Sequence, residues 1–90
     1  MATIRIPTPF RPYTAGQKEV PIQGATVAAA LASLLALHPG LRQHLYNTEG
    51  RLRPHINILM DGVNVRNLQG LDTLLAEDAV LMLVPSIAGG

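Results

Sequence analysis

The run Val80-Leu81-Met82-Leu83-Val84 constrains this chain more than any other stretch. Five consecutive apolar residues are long enough for one buried strand, and an unbroken run fits a central position in a sheet better than an edge. The run is apolar on both faces. Either Leu81 and Leu83 or Val80, Met82 and Val84 therefore point away from whatever covers the sheet. Pro85 follows, then Ser86-Ile87-Ala88-Gly89-Gly90. Glycine has no Cβ, so a tail of this kind fits a channel too narrow for other residues and presents the Gly90 carboxylate at its tip. By itself the diglycine fits ordinary fraying of a domain end equally well.

The rest of the chain supplies partners for that strand. Thr3-Ile4-Arg5-Ile6 alternates, with Ile4 and Ile6 inward, before Pro7 and Pro9 end it. Residues 10–16 read as a loop. Gln17 to Ile22 alternates again, with Val20 and Ile22 inward, and Pro21 assigns this strand to a sheet edge. Thr26 is placed to cap a helix running from Val27 to about Leu37, whose Val27, Leu31, Leu34 and Leu35 form one apolar stripe. His38-Pro39-Gly40 stops it, and Leu41, His44 and Leu45 suggest one further short turn folded onto the edge of the core. His55 to Met60 reads as a third strand, with Ile56, Ile58 and Met60 on one face and His55, Asn57 and Leu59 on the other. Asp61-Gly62 is a strong turn signal leading into a short strand from Val63 to Arg66. Residues 67–79 form a connection with a helical turn near Asp72–Leu75.

One helix and four or five strands in the order ββαβ(β)β describe an α+β fold. The expected architecture is a β-grasp, ubiquitin-like mixed sheet with one main helix packed on one face and the first and last strands as parallel neighbours. It divides into a domain over 1–84 and a flexible C-terminal tail over 85–90.

Composition narrows the function. A hydrophobic fraction of 48% argues against disorder, and a formal net charge of +1 without a long basic run argues against nucleic-acid binding. No apolar stretch is long enough to span a membrane and no secretory signal pattern opens the chain, so a cytoplasmic location is expected. The absence of cysteine excludes disulfides, thiolate metal sites and a cysteine nucleophile. His38, His44 and His55 lack metal-ligand spacing. Glu77 and Asp78 are adjacent and form no convergent acid–base pair, and neither Ser33 nor Ser86 sits in a nucleophile motif. No catalytic site, metal site or cofactor is expected in this chain.

The sheet face opposite the helix carries the remaining signal. Leu59 and residues of the last strand, Met82 in one of the two registers, would form an apolar patch of the kind that marks a protein interaction site. The alternative is that residues 41–46 or the first hairpin loop fold across it. In this topology Arg53, His55 and Arg11 lie near the tail as a basic rim able to steer an acidic partner.

The ending Pro85-Ser86-Ile87-Ala88-Gly89-Gly90 resembles the Pro-x-Val-x-Gly-Gly of the ubiquitin-like sulfur carriers, which include the thiamine sulfur carrier and the small subunit of molybdopterin synthase. Arg11-Pro12-Tyr13-Thr14-Ala15-Gly16-Gln17-Lys18 is similar to the first hairpin of the carriers used in mycobacterial-type cysteine synthesis, as is His55-Ile56-Asn57-Ile58 to their third strand. The resemblance implies that an enzyme of the ubiquitin-activating type uses ATP to adenylate Gly90. Sulfur then replaces the adenylate as a thiocarboxylate, with Ile87, Ala88 and Gly89 entering the partner's active site. In the cysteine branch it implies a PLP-dependent cysteine synthase as acceptor and a zinc metallopeptidase that releases the product. The chain is then a protein co-substrate and not itself an enzyme. The resemblance leaves two alternatives, the molybdopterin-synthase subunit and a protein modifier conjugated through Gly90. The family's Asp-Gly-Asp turn before the last strand is here Glu77-Asp78-Ala79. Aligned from the tail, Leu81 and Leu83 face inward; aligned from the turn, Val80, Met82 and Val84 do.

Overall fold

The computed structural model describes residues 2–85. The expectations for Ile87, Ala88, Gly89 and Gly90 lie outside the described residues. The chain runs β1 (Thr3–Arg5), β2 (Glu19–Pro21), α1 (Val27–Leu37), α2 (Arg42–Leu45), β3 (Ile56–Met60), β4 (Val63–Asn64) and β5 (Val80–Pro85), with short 3-10 turns between them. The sheet order is β2-β1-β5-β3-β4, which makes β5 the central strand. It lies parallel to β1 and antiparallel to β3. This is the β-grasp arrangement, and the apolar run Val80-Leu81-Met82-Leu83-Val84 forms its middle strand.

Each element forms for a local reason. The Thr26 hydroxyl accepts from the Ala29 amide at 3.2 Å, which satisfies one of the free donors at the start of α1. Val27, Ala30, Leu31, Leu34 and Leu35 form the buried stripe of that helix. The stripe packs on Ile4, Ile56, Ile58, Leu81 and Leu83, all at most 1% exposed. Burial of each such side chain contributes about 1.5–3 kcal/mol. The β3–β4 turn uses positive φ at both Asp61 (50°) and Gly62 (89°), the geometry that matches the twist of a two-residue hairpin. Pro21 occupies the edge strand, where its missing N–H costs no ladder bond.

The register of β5 is settled by its neighbour. Ile4 lies beside Leu81, and Leu81 and Leu83 face the helix while Val80, Met82 and Val84 face away. The strand also continues through Pro85, opposite Ile56.

Three local expectations are corrected. Residues 10–16 are not a plain loop, because Thr8–Thr14 forms a 3-10 helix. Pro9 and Pro12 hold φ near the value that helix needs, and Phe10 and Thr14 are buried by it. The fourth strand is only Val63–Asn64, since the Asn64 side chain accepts from the Arg66 amide at 3.0 Å and starts a 3-10 turn. The helical turn expected near Asp72–Leu75 falls at Gly70–Asp72, and Leu74 instead bridges Thr26.

Candidate functional site

The end of β5 from which the tail departs is bracketed by its two neighbours. On one side, the end of β1 passes into the Thr8–Thr14 helix, and Arg11 Nε donates to the Ile6 carbonyl at 3.1 Å. On the other side lies the start of β3, where Ile56 pairs with Pro85. Arg53 and His55 stand just before that pairing. With Phe10, Gln43, His44 and Pro85 they line a shallow cleft of about 600 Å³. Arg11 does not line it.

Arg53 is held rather than waving in solvent. Its Nε and Nη2 both donate to the Gln43 carbonyl, at 3.1 and 2.9 Å. Arg66 reaches the same end of the sheet, with Nη2 donating to the carbonyls of Pro54 at 2.7 Å and Ile56 at 3.3 Å. A guanidinium fixed by backbone oxygens loses less side-chain freedom when it meets a carboxylate, so its charge is already in place for an acidic group.

His44 packs against the Thr8–Thr14 helix. Its ring stacks on Tyr13 with centroids 4.2 Å apart and lies 6.2 Å from Phe10. Its Nε2 has no hydrogen-bond partner among the described residues. Tyr46 stands beside Arg42 in the adjoining cleft. Burial pushes its phenol above the usual tyrosine range, partly offset by the Arg42 charge. Sequence patterning does not single out Phe10, Gln43, His44 or Arg66 for this end of the molecule. The only local signal is the nearness of Arg51, Arg53 and His55 in sequence.

The outer sheet face carries Leu59 directly opposite Met82, with Asn57 opposite Val84 in the next pair. Leu59, Met82 and Val84 are half-buried and Val80 is exposed. The two segments available to cover this face pack elsewhere: Phe10, Leu41 and Leu45 belong to the core beneath α1. Arg5 beside Met82 forms an exposed ion pair with Glu19 at 3.8 Å. Leu59 and Met82 are thus brought together on the face, while Arg53 and His55 are brought together at its tail end. Among the described residues no three His, Asp or Glu side chains converge as a metal site. No helix among them is long and apolar enough to cross a membrane.

The model of the ThiS family matches residues 4–90. The chain belongs to the ThiS family. The sulfur carrier protein CysO of Mycobacterium tuberculosis is 36% identical to it over 90 residues, covering 98% of this chain and 97% of that one. A chain of the Amycolatopsis orientalis BexX/CysO complex superposes with a TM-score of 0.90 at 32% identity, over 100% of both chains. Small archaeal modifier protein 3 of Haloferax volcanii is 38% identical over 66 residues, 73% of this chain and 71% of the relative. Membership of the ThiS family makes this β-grasp chain a ubiquitin-like sulfur carrier, a small carrier rather than a catalyst, and implies partner enzymes.

Proposed function

We propose that this ThiS-family chain carries sulfur as a thiocarboxylate on Gly90 and delivers it for cysteine synthesis in the cytoplasm. The observation that carries this reading is the full-length match to CysO sulfur carriers, at 36% identity over nearly the whole of both chains. An activating enzyme of the ubiquitin-activating type uses ATP to form the mixed anhydride of Gly90 with AMP, with pyrophosphate as the leaving group. A sulfur donor then displaces AMP. The thiocarboxylate sulfur bonds to the β-carbon of an activated serine on a PLP-dependent synthase as the serine oxygen leaves with its activating group. A zinc metallopeptidase hydrolyses the resulting acyl bond to Gly90, freeing the cysteine and restoring the carboxylate. The chain serves as co-substrate in each step. Gly90 reacts, while Gly89, Ala88 and Ile87 are the narrow part of the segment after Pro85 that enters the partner's active site. Leu59 and Met82 supply the apolar docking contact, and Arg53, His55 and Arg11 form its basic rim. The half-buried apolar pair on the outer face of β3 and β5 and the fixed guanidinium of Arg53 support this assignment.

The test supplies the preformed thiocarboxylate to the synthase with an activated serine and follows the intact mass of the chain. Gain of a cysteinyl group at the C-terminus is the expected result. Loss of sulfur to a molybdopterin precursor instead would move the chain to that branch. The modifier reading has its own support in the similarity to small archaeal modifier protein 3. It predicts isopeptide-linked adducts through Gly90, which immunoblots of cell extracts would display as a ladder.

A further inference from the structure

The near-neutral formal charge of +1 conceals a strong separation of charge along the sheet. At the tail end of β5, Arg11 is bound to the end of β1, Lys18 stands where its carbonyl accepts from the Ile6 amide, and Arg53 lines the cleft with Pro85. Arg42 shares a second cleft with Arg53, Arg51 lies two residues before Arg53, and Arg66 is anchored on Pro54 and Ile56. Six of the seven Lys/Arg side chains therefore occupy this half, against a single acid, Glu49. At the other end of β5 the balance reverses. Asp61 Oδ1 accepts from the Val80 amide, Asp72 sits in the 3-10 turn beside the start of α1, and Glu77 lines a cleft with Ala2 and Ile22. Asp78 precedes Val80 by two residues. The remaining charges, Arg5 and Glu19, pair with each other.

We infer that this segregation makes the tail end a tail-first docking pole for a partner whose active-site mouth is rimmed with carboxylates, with Arg42 and Arg51 joining the basic rim. The inference rests on the sulfur-carrier reading, since it takes the partner to be the enzyme that receives the tail. Magnitudes favour a pole over a net-charge effect. A six-residue strand spans about 17 Å, roughly two Debye lengths at physiological salt, so the acidic end is largely screened from a partner at the basic end. Oriented charge of this kind acts on the rate of productive encounter more than on the lifetime of the complex.

Two variants with the same change in net charge separate the pole from the total. Arg42 is exposed and its side chain makes no hydrogen bond among the described residues, so Arg42→Glu alters charge by two units at the tail end without loosening the fold. Gln23→Glu combined with Gln69→Glu alters it by two units at the far end, where both side chains are exposed. Stopped-flow association with the adenylating enzyme is measured from low to high ionic strength. Arg42→Glu is expected to slow association about tenfold at low salt, and the far-end pair to change it by less than about twofold. The gap should close at high salt, dissociation should hardly move, and Arg51→Glu should repeat the Arg42→Glu result. Equal slowing by both variants, no slowing by Arg42→Glu or Arg51→Glu, or an effect confined to dissociation overturns the inference. Thiocarboxylate formation on the wild-type chain in the same preparation is read separately. Its presence with equal slowing defeats the pole alone, and its absence defeats the carrier reading beneath it.

Discussion

Gly24 shows how a single residue fixes the junction between the sheet and the helix. Its φ is +152°, and a Cβ there would lie 2.7 Å from Ala29 Cβ and 2.8 Å from the backbone of Ala29 and Ala30. Helix backbone cannot retreat from such a contact as a flexible side chain would. Gly24→Ala is expected to lower unfolding stability by about 1–3 kcal/mol in urea melts. Gly50→Ala is the comparison, because nothing lies within 4 Å of its added methyl group and only its φ of +78° opposes the change. Tyr46 gives a pH dependence with a definite sign. Its phenol is raised in the fold by burial, so the neutral form is favoured there. The contribution is fully present below the ordinary tyrosine pKa near 10 and is lost as pH rises through the higher folded value. Urea melts above pH 10 should therefore show falling stability, and Tyr46→Phe should reduce the fall. At this scale much was readable in the sequence. Thr26 as cap, Pro21 at an edge and Asp61-Gly62 as a turn depend only on near neighbours. His44 against Tyr13 and Phe10 was not readable, because that packing joins residues far apart in the chain.

Among the elements, β5 decides most. An all-apolar strand offers no alternation from which to read its register, so the sequence left both faces open. The parallel pairing with β1 closes the question by setting Ile4 beside Leu81. The same pairing turns Met82 outward against Leu59. The Thr8–Thr14 segment escaped for the opposite reason. Prolines reliably mark the end of a strand, yet their fixed φ serves a 3-10 helix as well as a loop. On the outer face, Leu59→Glu sets a charge beside Met82 without entering the core. Partner affinity is expected to fall about tenfold or more while the melting curve changes little. Affinity equal to wild type in a titration would remove the sheet face from the docking surface. The companion change Leu83→Glu faces the helix and is expected to unfold the domain, which distinguishes the two faces of one strand.

On the proposed reading, the whole molecule joins a five-stranded sheet to a reactive end at Gly90. The central strand is paired with β1 as far as Met82 and with β3 as far as its last residue, Pro85. Among the described residues no three His, Asp or Glu side chains converge as a metal site. In the proposed cycle the carrier needs no catalytic side chain of its own, because the chemistry of activation is assigned to the partner. The measurement that bears most directly on this account is the intact mass of the chain after incubation with its activating enzyme, ATP and a sulfur donor. The wild-type chain should gain the mass of one oxygen-to-sulfur exchange, localised by fragmentation to Gly90, and a chain lacking Gly90 should gain none while keeping its melting temperature. An exchange that persists without Gly90, or that maps to any other residue, would contradict it.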